Sequence, residues 1–551
     1  MSRKVTLFCL RPDFYDSLFF SLFLLPEPFL MRKLIILSLL LILSSPLLMA
    51  QQSSEGRDEE TARVEITARS DQESYRAIPC GYHGALIFFK SVEIADAQRV
   101  KWYFSFYDRE LKQVWVKSLP ILEDLDFRFK LFSKDTVFLV FTYTGKLKSE
   151  DQPLEIIRID LKKGSFIPNL TKVPANSEPV FFNVMGRNAY LALNHKSGQS
   201  AVEILDFKSN HSKGFLLDRQ SPSAFRWFNT DSASSTLNAV ISKVLSKKET
   251  EHWYQVFDTT GKVLLSVRLS TINQDREFTG FTAIKNQNGD YLVMGTYRLS
   301  IGSSNQKNKL KDESAGIFTS LLVPGNQKNL NFINFLELKS ISSLLSSKNL
   351  IDLKKKALKK NKNMGETSVD FRILQHDPIV YNGQYIMVSE VFNPQFHTEN
   401  FTDFDFYGRP YTNSYSVFDG YRYTGAIIAA FNSEGQLLWD NAMETRDLIG
   451  SDLSPKVVVK PEGDKFLIAY SAAGGIGSKV IRNAETTGKP EFSKLDSKYP
   501  DDKLISETRN GLIPWYDNYF LCYGFQEIKN VALESNNKRF VFYLMKVKFE
   551  D

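Results

Sequence analysis

The sequence has few cysteines and none of the short motifs that mark common catalytic sites. Its 551 residues include three cysteines, none of them adjacent, so CxxC redox motifs and multi-cysteine zinc sites are excluded. HExxH, GxSxG and GxxxxGK[ST] motifs are also missing from the chain. The six histidines are scattered along it. We therefore assign no catalytic residue and no cofactor, and favour a binding role over catalysis.

Long hydrophobic runs are confined to the first fifty residues. From Met31 the run MRKLIILSLLLILSSPLLMAQQ has a basic start, an apolar stretch of about a dozen residues and small residues at its end, which is typical of a secretory signal. We predict an N-terminal extension at 1–30, a signal peptide at 31–50 and a polar leader at 51–75. The alternative for 1–30 is a longer signal or an anchor. Export predicts residence in the periplasm or outer envelope of a Gram-negative bacterium.

What the sequence does contain is a recurring apolar strand, found eight times. The copies begin at Ala85, Val137, Ala189, Leu237, Tyr291, Tyr385, Phe466 and Tyr519. Five of the seven intervals between them are 48 to 54 residues long, and the other two are 94 and 81. Partner strands follow, with polar turns such as Asp258–Gly261 and Asn432–Gly435, where glycine supplies a positive φ. Each repeat is therefore predicted to be a small antiparallel meander.

Repeats of about fifty residues with three or four strands have the period of β-propeller blades. A stack of sandwich domains is the rival interpretation, but it needs about a hundred residues per repeat. We predict an all-β fold, a seven- or eight-bladed β-propeller built from 76–299 and 367–551. The last repeat stops after its second strand, RFVFYLMKVKFED, so the segment ARVEITAR at 62–69 is predicted to complete that blade and close the ring.

One repeat resembles a known sequence type. The segment FNSEGQLLW, from Phe431 to Trp439, is similar to the quinoprotein-type (PQQ-like or WD40-like) repeat of bacterial propellers. A second repeat, FDTTGKVLL, has leucine where that pattern has tryptophan. The wider chain looks like uncharacterised secreted bacterial propeller proteins. The resemblance implies the repeat type and no cofactor, because catalytic quinoproteins often carry a vicinal disulfide and this chain has no adjacent cysteine pair.

The first of the two long intervals, 300–366, is predicted to be a helical insertion. Apolar residues at helical spacing, including Leu344, Ile351 and Leu358, describe an amphipathic helix. Residues 337–362 contain eight lysines and two acidic residues. The net charge of this segment, +6, equals the net charge of the whole chain. Contact with an anionic membrane is one interpretation, and a solvated helix end is the other. The lysines proposed for membrane contact are Lys354, Lys355, Lys356, Lys359 and Lys360. Nucleic acid binding is not expected.

The second long interval contains the most distinctive segment, NPQFHTENFTDFDFYGRPYTNSYSVFDGYRY, at 393–423. We predict a tyrosine-rich loop insertion there. Tyrosine and arginine dominate binding hot spots because they offer large rigid surfaces with polar groups. The predicted binding residues are Tyr407, Arg409, Tyr411, Tyr415, Tyr421, Arg422 and Tyr423. A loop that packs on itself over the blades is the alternative.

The same segment holds side chains of the types that bind cations. His397, Glu399, Asp403 and Asp405 offer nitrogen and oxygen ligands. Their spacing matches no established metal loop. These four residues form a candidate metal site, with hydrogen bonding and capping as the alternative role.

Two cysteines remain once the leader is removed. Cys80 lies in the first repeat and Cys522 in the last, and a closed ring places these repeats side by side. Thiols in an oxidising compartment tend to pair where geometry allows. We predict a disulfide across the closure, with two unpaired buried cysteines as the alternative.

Three functions are compatible with these features. The first is an exported, non-catalytic propeller that binds an envelope protein or another ligand, with the tyrosine-rich segment as the main contact. The second is a propeller enzyme that acts on carbohydrate or lactone at the central channel. The third is a peripheral membrane-surface protein held by the lysine-rich helix.

Overall fold

The computed structural model describes residues 62–145, 150–218, 221–246, 249–271, 275–300, 313–345, 355, 368–482, 485–532 and 537–549. All of them belong to one compact unit, Glu60–Asp551. These residues form 34 strands, numbered β1 to β34 in chain order, and three short 3-10 helices.

The strands of the described residues are arranged in eight antiparallel sheets, numbered here along the chain. Sheet 1 contains β2 (Arg76–Pro79), β3 (Ala85–Asp96), β4 (Arg99–Tyr107) and β5 (Gln113–Leu122). Sheet 2 contains β6 (Leu125–Ser133), β7 (Thr136–Tyr143), β8 (Gln152–Asp160) and β9 (Ser165–Val173). Sheet 3 contains β10 (Ser177–Met185), β11 (Asn188–His195), β12 (Ala201–Asp206) and β13 (His211–Leu216). Sheet 4 contains β14 (Ser223–Asp231), β15 (Thr236–Ser246), β16 (Glu249–Asp258) and β17 (Val263–Leu269).

The second half of the chain continues the pattern. Sheet 5 contains β18 (Arg276–Lys285), β19 (Tyr291–Leu299), β21 (Gly316–Val323) and β22 (Asn326–Asn334). Sheet 6 contains β20 (Glu313–Ser314), β23 (Phe371–Gln375), β24 (Ile379–Tyr381), β25 (Gln384–Phe404), β26 (Pro410–Phe431) and β27 (Leu437–Gly450). Sheet 7 contains β28 (Val458–Glu462), β29 (Lys465–Ala472), β30 (Gly475–Arg482) and β31 (Glu485–Lys494). Sheet 8 contains β32 (Lys503–Pro514), β33 (Tyr519–Lys529), β34 (Lys538–Lys548) and β1 (Arg63–Thr67).

The repeat found in the sequence corresponds to one position in this architecture. In seven sheets the recurring segment is the second strand, namely β3, β7, β11, β15, β19, β29 and β33. In sheet 6 it is β25, which pairs with the short inner strands β23 and β24 on one side and with β26 on the other. The recurring segments within these strands are buried on both faces, which is why they appear as short continuous apolar runs. The third strand of sheet 1, β4, alternates instead. Its Val100, Trp102, Phe104 and Phe106 are buried while the residues between them are half-buried.

Each sheet packs against the next through a hydrophobic cluster. The described residues contain eight such clusters, and each draws its side chains from two consecutive sheets. One cluster joins sheet 8 to sheet 1, with Phe525 and Phe542 against Tyr75 and Ile87. First strands of neighbouring sheets, such as β6, β10, β14 and β18, also touch one another. The sheets therefore form a closed ring whose first strands lie innermost.

The ring is closed within sheet 8, as the sequence predicted. Strand β1, near the N-terminus, pairs with β34, near the C-terminus, from Arg63↔Met545 to Thr67↔Val541. Arg539 supports this pairing from β34. Its Nε lies 3.1 Å from Glu65 and its Nη2 lies 2.6 Å from Asp502. Hydrogen bonds and a buried ion-pair network therefore hold the first strand in the last sheet.

The predicted helical insertion at 300–366 differs from the structure. Its described part, 313–345 with Lys355, contains β20, the outer strands β21 and β22 of sheet 5, and the 3-10 helices Phe335–Glu337 and Lys339–Ser343. The remaining 3-10 helix is Gly81–His83. Ile341 packs in the cluster between sheets 5 and 6. Apart from Lys355, the segment that carries the predicted lysine-rich helix lies outside the described residues.

The predicted disulfide is not formed. Cys80 and Cys522 are both free and fully buried. Cys80 lies in the cluster between sheets 1 and 2, whereas Cys522 lies in the cluster between sheets 7 and 8. The two thiols therefore point away from each other even though sheets 8 and 1 are neighbours.

Both thiols are expected to be unreactive in the folded protein. Burial raises the pKa of Cys80 and of Cys522 to about 12, and alkylation requires the thiolate. Iodoacetamide at pH 8 should leave both peptides unmodified in native protein and modify both in urea, as read by mass spectrometry. A peptide pair linked through Cys80 and Cys522 in a non-reducing digest would contradict this expectation.

Candidate binding site

The segment predicted as a tyrosine-rich loop is a long β-hairpin. Strands β25 and β26 pair continuously from Tyr385↔Phe431 out to Phe404↔Pro410. Strand β27 accompanies β26 only as far as Tyr421. Beyond that point, residues 395–420, which we call the ribbon, form a two-stranded projection in the described structure. About ten residues per strand at about 3.3 Å each make it roughly 33 Å long.

A four-residue turn closes the ribbon at its tip. The Asp405 carboxylate accepts hydrogen bonds from the backbone N–H groups of Tyr407, at 2.8 Å, and Arg409, at 2.9 Å. Gly408 has a φ of 73°, which glycine adopts without steric cost. The Asp-Phe-Tyr-Gly sequence therefore specifies the turn, and Asp405 acts as its cap.

The predicted binding residues divide between the ribbon and the sheet. Tyr407, at the tip, is 79% exposed, and the Arg409 guanidinium lies 5.7 Å from the centre of its ring. Tyr411 and Tyr415 are exposed along the ribbon. Tyr423 is only 1% exposed, and its hydroxyl donates to the carbonyl of Ser454 at 2.8 Å. The structure thus gives Tyr423 a place in the core and no surface for a partner.

The two remaining predicted residues lie at the base of the ribbon. Arg422 donates from Nη2 to the side-chain oxygen of Gln395 at 3.3 Å. Tyr421 packs edge-on against Phe392 and Phe418, with ring centres 5.6 and 5.0 Å apart. Both residues therefore brace the junction between the ribbon and sheet 6.

Of the four candidate metal ligands, only His397 and Glu399 contact each other among the described residues. His397 Nδ1 lies 2.5 Å from Asp419, and its Nε2 lies 3.2 Å from Glu399. Hydrogen bonds with Asp419 and then Glu399 raise the pKa of His397. Asp403 contacts Tyr411, and Asp405 caps the turn. Within the described ranges, no group of three or more His, Cys, Asp or Glu side chains is arranged to hold a metal ion.

Phenylalanines, which were not among the predicted binding residues, expose more surface than most of the tyrosines. Phe406 is 98% exposed, Phe404 63% and Phe396 59%. Phe406 lies within the turn, Phe404 immediately precedes it, and Phe396 lies at the ribbon base opposite Phe418. The density of aromatic residues could have identified them, since the segment contains as many phenylalanines as tyrosines. The ribbon is therefore an aromatic surface along its whole length.

A pocket of about 810 Å³ opens where the ribbon joins the ring. Sheets 4, 5 and 6 and the base of the ribbon contribute to it, together with Leu453. The lining residues are Arg226, Phe278, Thr279, Gly280, Thr296, Arg298, Ser314, Arg372, Ile373, Gln375, Phe392, Pro394, Phe396, Phe418, Tyr421 and Leu453. Three arginines and a group of aromatic rings thus face one space. We call it the ribbon pocket.

The ribbon pocket could not be predicted from the sequence, because its charged residues are far apart in the chain. Arg226 donates to the carbonyl of Thr279 at 3.1 Å. Arg298 donates from Nε to Glu277 at 2.8 Å, and Arg372 lies 3.6 Å from Glu313. Only the packing of sheets 4, 5 and 6 brings these guanidinium groups together.

Charged residues also lie on the innermost strands elsewhere in the ring. Lys130, on β6, donates to the carbonyl of Ala77 at 3.3 Å. Its dense surroundings, followed by the nearby charge of Arg76, lower the pKa of Lys130 to about 8, although its side chain remains in contact with solvent. Burial also lowers the pKa of Arg76, whose neighbours include Asp452 and Arg509. Basic side chains therefore lie close together on the innermost strands of sheets 1 and 2.

A buried acid links sheet 6 to the start of sheet 7. Glu390 is fully buried, and its Oε1 accepts hydrogen bonds from the backbone N–H groups of Lys456 and Val457 at 2.8 Å each. His376 Nε2 lies 2.6 Å from the same oxygen. These contacts assign Glu390 a structural role at the connection between the two sheets.

Together, the ring of four-stranded sheets, the innermost first strands and the strand exchange in the last sheet define a β-propeller. No protein-family model matches the chain, and no curated protein matches it. The resemblance to quinoprotein-type repeats therefore stays a prediction. No helix in the part of the chain that the structure describes is long and apolar enough to cross a membrane.

Several solved structures are similar to parts of the chain, with low TM-scores. The β-propeller domain of the trilobed protease from Pyrococcus furiosus is 9% identical, over 76% of this chain and 98% of that one, with a TM-score of 0.33. A polysaccharide lyase is 11% identical over 76% and 89%, with a TM-score of 0.38. An uncharacterised protein of Listeria monocytogenes is 10% identical over 69% and 88%, with a TM-score of 0.32. Similarities of this size do not indicate what the chain binds.

Proposed function

We propose that this protein is an exported eight-bladed propeller that binds a protein partner of the bacterial envelope through the ribbon. The eight sheets joined by eight clusters support the blade number. The signal-like run after Met31 supports export.

The exposed aromatic surface of the ribbon carries this proposal. A two-stranded hairpin on its own is marginally stable in water, and large exposed apolar patches in soluble proteins usually mark interaction sites. Phe406, Tyr407, Phe404 and Phe396 are all more than half exposed. Rigid aromatic side chains lose little conformational entropy on binding, which is why they dominate hot spots.

The backbone of the ribbon offers a second element of recognition. Strand β25 from 395 to 404 and strand β26 from 410 to 420 pair only with each other among the described residues. Their outer edges therefore present backbone donors and acceptors to which another strand can add. The proposed complex combines this edge pairing with burial of the aromatic tip.

Replacing Phe406 and Tyr407 by serine is expected to reduce co-purification of the envelope partner about tenfold or more, because hot-spot aromatics contribute roughly 2 kcal/mol or more each. The matched control replaces Val92 and Ile94 by serine. Val92 and Ile94 are 87% and 74% exposed. They lie near the end of β3, which leads into β4, the third strand of sheet 1. Quantitative mass spectrometry of tagged protein from the native envelope compares the variants.

Two outcomes would contradict the proposal. One is an unchanged partner set for the ribbon variant. The other is an equal loss for both variants, which would indicate that exposed apolar residues in general capture protein without specificity. Circular dichroism should confirm that all variants are folded, which is expected because the substituted side chains are exposed.

A further inference from the structure

The ribbon pocket has the dimensions and composition of a ligand site that is separate from the exposed ribbon tip. Its volume of about 810 Å³ lies within the range of roughly 300 to 1,000 Å³ that small-molecule sites occupy. It opens between sheets of a rigid ring, where side chains are held in fixed positions. The proposed protein partner of the ribbon does not account for a concave pocket at the opposite end of the ribbon.

One side of the pocket is suited to an anion. Its lining residues include Arg226, Arg298 and Arg372 and no acidic residue. The acids that contact Arg298 and Arg372 are Glu277 and Glu313, and neither of them lines the pocket. Arg372 is held by a long 3.6 Å contact and is 14% exposed, which leaves its planar guanidinium group partly desolvated. Such groups bind carboxylates through two parallel hydrogen bonds.

The other side is a continuous series of aromatic rings. Phe392, Tyr421, Phe418 and Phe396 contact one another in that order, with ring centres 5.6, 5.0 and 5.5 Å apart. The series begins in the buried core at Phe392 and ends at Phe396, which is 59% exposed. Exposed rings next to arginines favour a ligand with a flat or ring-shaped apolar face.

Polar groups at the floor of the pocket add hydrogen-bonding capacity. Thr279, Thr296 and Ser314 are lining residues whose hydroxyls form a cluster, with Thr279 2.8 Å from Thr296 and 2.7 Å from Ser314. The side-chain oxygen of Gln375 is buried without a hydrogen-bond partner in the described structure. A buried acceptor of this kind favours a ligand that donates a hydroxyl or N–H group.

We propose that the ribbon pocket binds a small ligand in which a carboxylate is attached to a ring, with the arginines taking the carboxylate and the aromatic series taking the face of the ring. Two sources share this chemistry: an acidic sugar and an aromatic carboxylic acid. The proposal goes beyond the ribbon's protein partner and does not depend on it.

Isothermal titration calorimetry with matched probes tests the proposal. The sugar probes are digalacturonic acid and its neutral methyl ester, and the aromatic probes are 4-hydroxyphenylacetate and its amide. We expect at least one acid to bind about tenfold more tightly than its neutral counterpart, since hydrogen bonds to charged groups are worth about 1.5 to 3 kcal/mol. Binding of digalacturonic acid would identify the ligand as an acidic sugar, and binding of 4-hydroxyphenylacetate would identify it as an aromatic carboxylic acid. Its affinity should fall as salt is raised.

Substitutions then assign the binding to this pocket. Arg226→Gln and Phe396→Ala alter exposed lining side chains and should each weaken the bound acid about tenfold, while Arg128→Gln should not. Arg128 is a suitable control because it is an exposed arginine on the innermost strand of sheet 2, paired with Glu178. The proposal is overturned if neither acid is preferred over its neutral counterpart, or if the pocket variants bind like the control.

Discussion

Replacing Arg539 by alanine is expected to lower the free energy of unfolding by about 3 to 5 kcal/mol, because breaking a buried ion pair leaves an uncompensated charge. Asp502 and Glu65, its two partners, have side chains only 1% and 4% exposed. Burial raises the pKa of Asp502, but hydrogen bonds from Arg539, Asn530 and the backbone N–H of Tyr499, together with the charge of Arg539, hold this pKa below its ordinary value. Without Arg539, the buried Asp502 carboxylate would lose its guanidinium partner, while Glu65 would keep its ion pair with Arg63 at 2.9 Å.

The matched control for this prediction is Arg128→Ala. Arg128 pairs with Glu178 at 3.1 Å, but both side chains are largely exposed, and such pairs contribute about 0 to 1 kcal/mol. Urea unfolding followed by tryptophan fluorescence compares the two variants with the wild type. If Arg539→Ala costs no more than Arg128→Ala, the ion pairs with Glu65 and Asp502 do not hold the closing strand.

The position of Arg539 explains why a local change should affect the whole ring. Arg539 lies on β34, Glu65 on β1 and Asp502 immediately before β32, so one guanidinium joins three parts of sheet 8. Arg63 adds a hydrogen bond to Gln526 at 2.7 Å and lies 4.6 Å from the ring of Tyr543. Sheet 8 contributes to the clusters with both sheet 7 and sheet 1. Weakening its closure therefore exposes apolar surface on both sides.

The repeated second strand made most of the fold predictable from the sequence. These strands are buried on both faces, so they are short apolar runs that stand out at a regular interval. The closing strand was predictable for a related reason, since the last repeat lacked a strand that 62–69 could supply. The outer strands of sheet 5 were missed because β21 begins at Gly316, far beyond the end of β19 at Leu299.

The ribbon was mistaken for a loop because neither of its faces is buried. Threonine, asparagine and aromatic residues alternate with charged residues along β25, but no apolar face reveals the period of two. Its strand character depends on β25 and β26 continuing the pairing begun in the core. The aromatic segment was correctly predicted to be unusual, but the prediction that it forms a loop was wrong.

The two cysteines show that a sequence repeat predicts which sheets are neighbours but not which face of a sheet a side chain lies on. The sequence placed Cys80 and Cys522 in neighbouring sheets, and the ring confirms that neighbourhood. Each sheet has two faces, however, and the thiols use the faces turned away from the shared cluster. The ribbon pocket was unpredictable for a similar reason, because Arg226 and Arg372 approach each other only through the packing of sheets 4, 5 and 6.

Protonation of His252 is expected to lower the free energy of unfolding by about 3 kcal/mol as the pH falls from 6.5 to 4. This size follows from about 1.36 kcal/mol for each pKa unit. Burial, followed by the nearby charge of Arg226, lowers the pKa of His252 from 6.5 to about 4, with Glu277 acting in the opposite direction. The ring lies 4.9 Å from that of Phe281, and its Nδ1 is 3.0 Å from the hydroxyl of Ser242.

The direction of this effect follows from which state binds the proton. Below pH 6.5 an unfolded chain protonates this imidazole, whereas the folded protein keeps it neutral until about pH 4. Acid therefore favours unfolding across that window, and the contribution is constant above and below it. The variant His252→Gln should lack this pH dependence. The free energy of unfolding of the wild type minus that of the variant should therefore change by about 3 kcal/mol between pH 7 and pH 4. Other titrating groups cancel in that difference. A difference that stays constant over this range would show that His252 titrates normally and is solvated in the folded state.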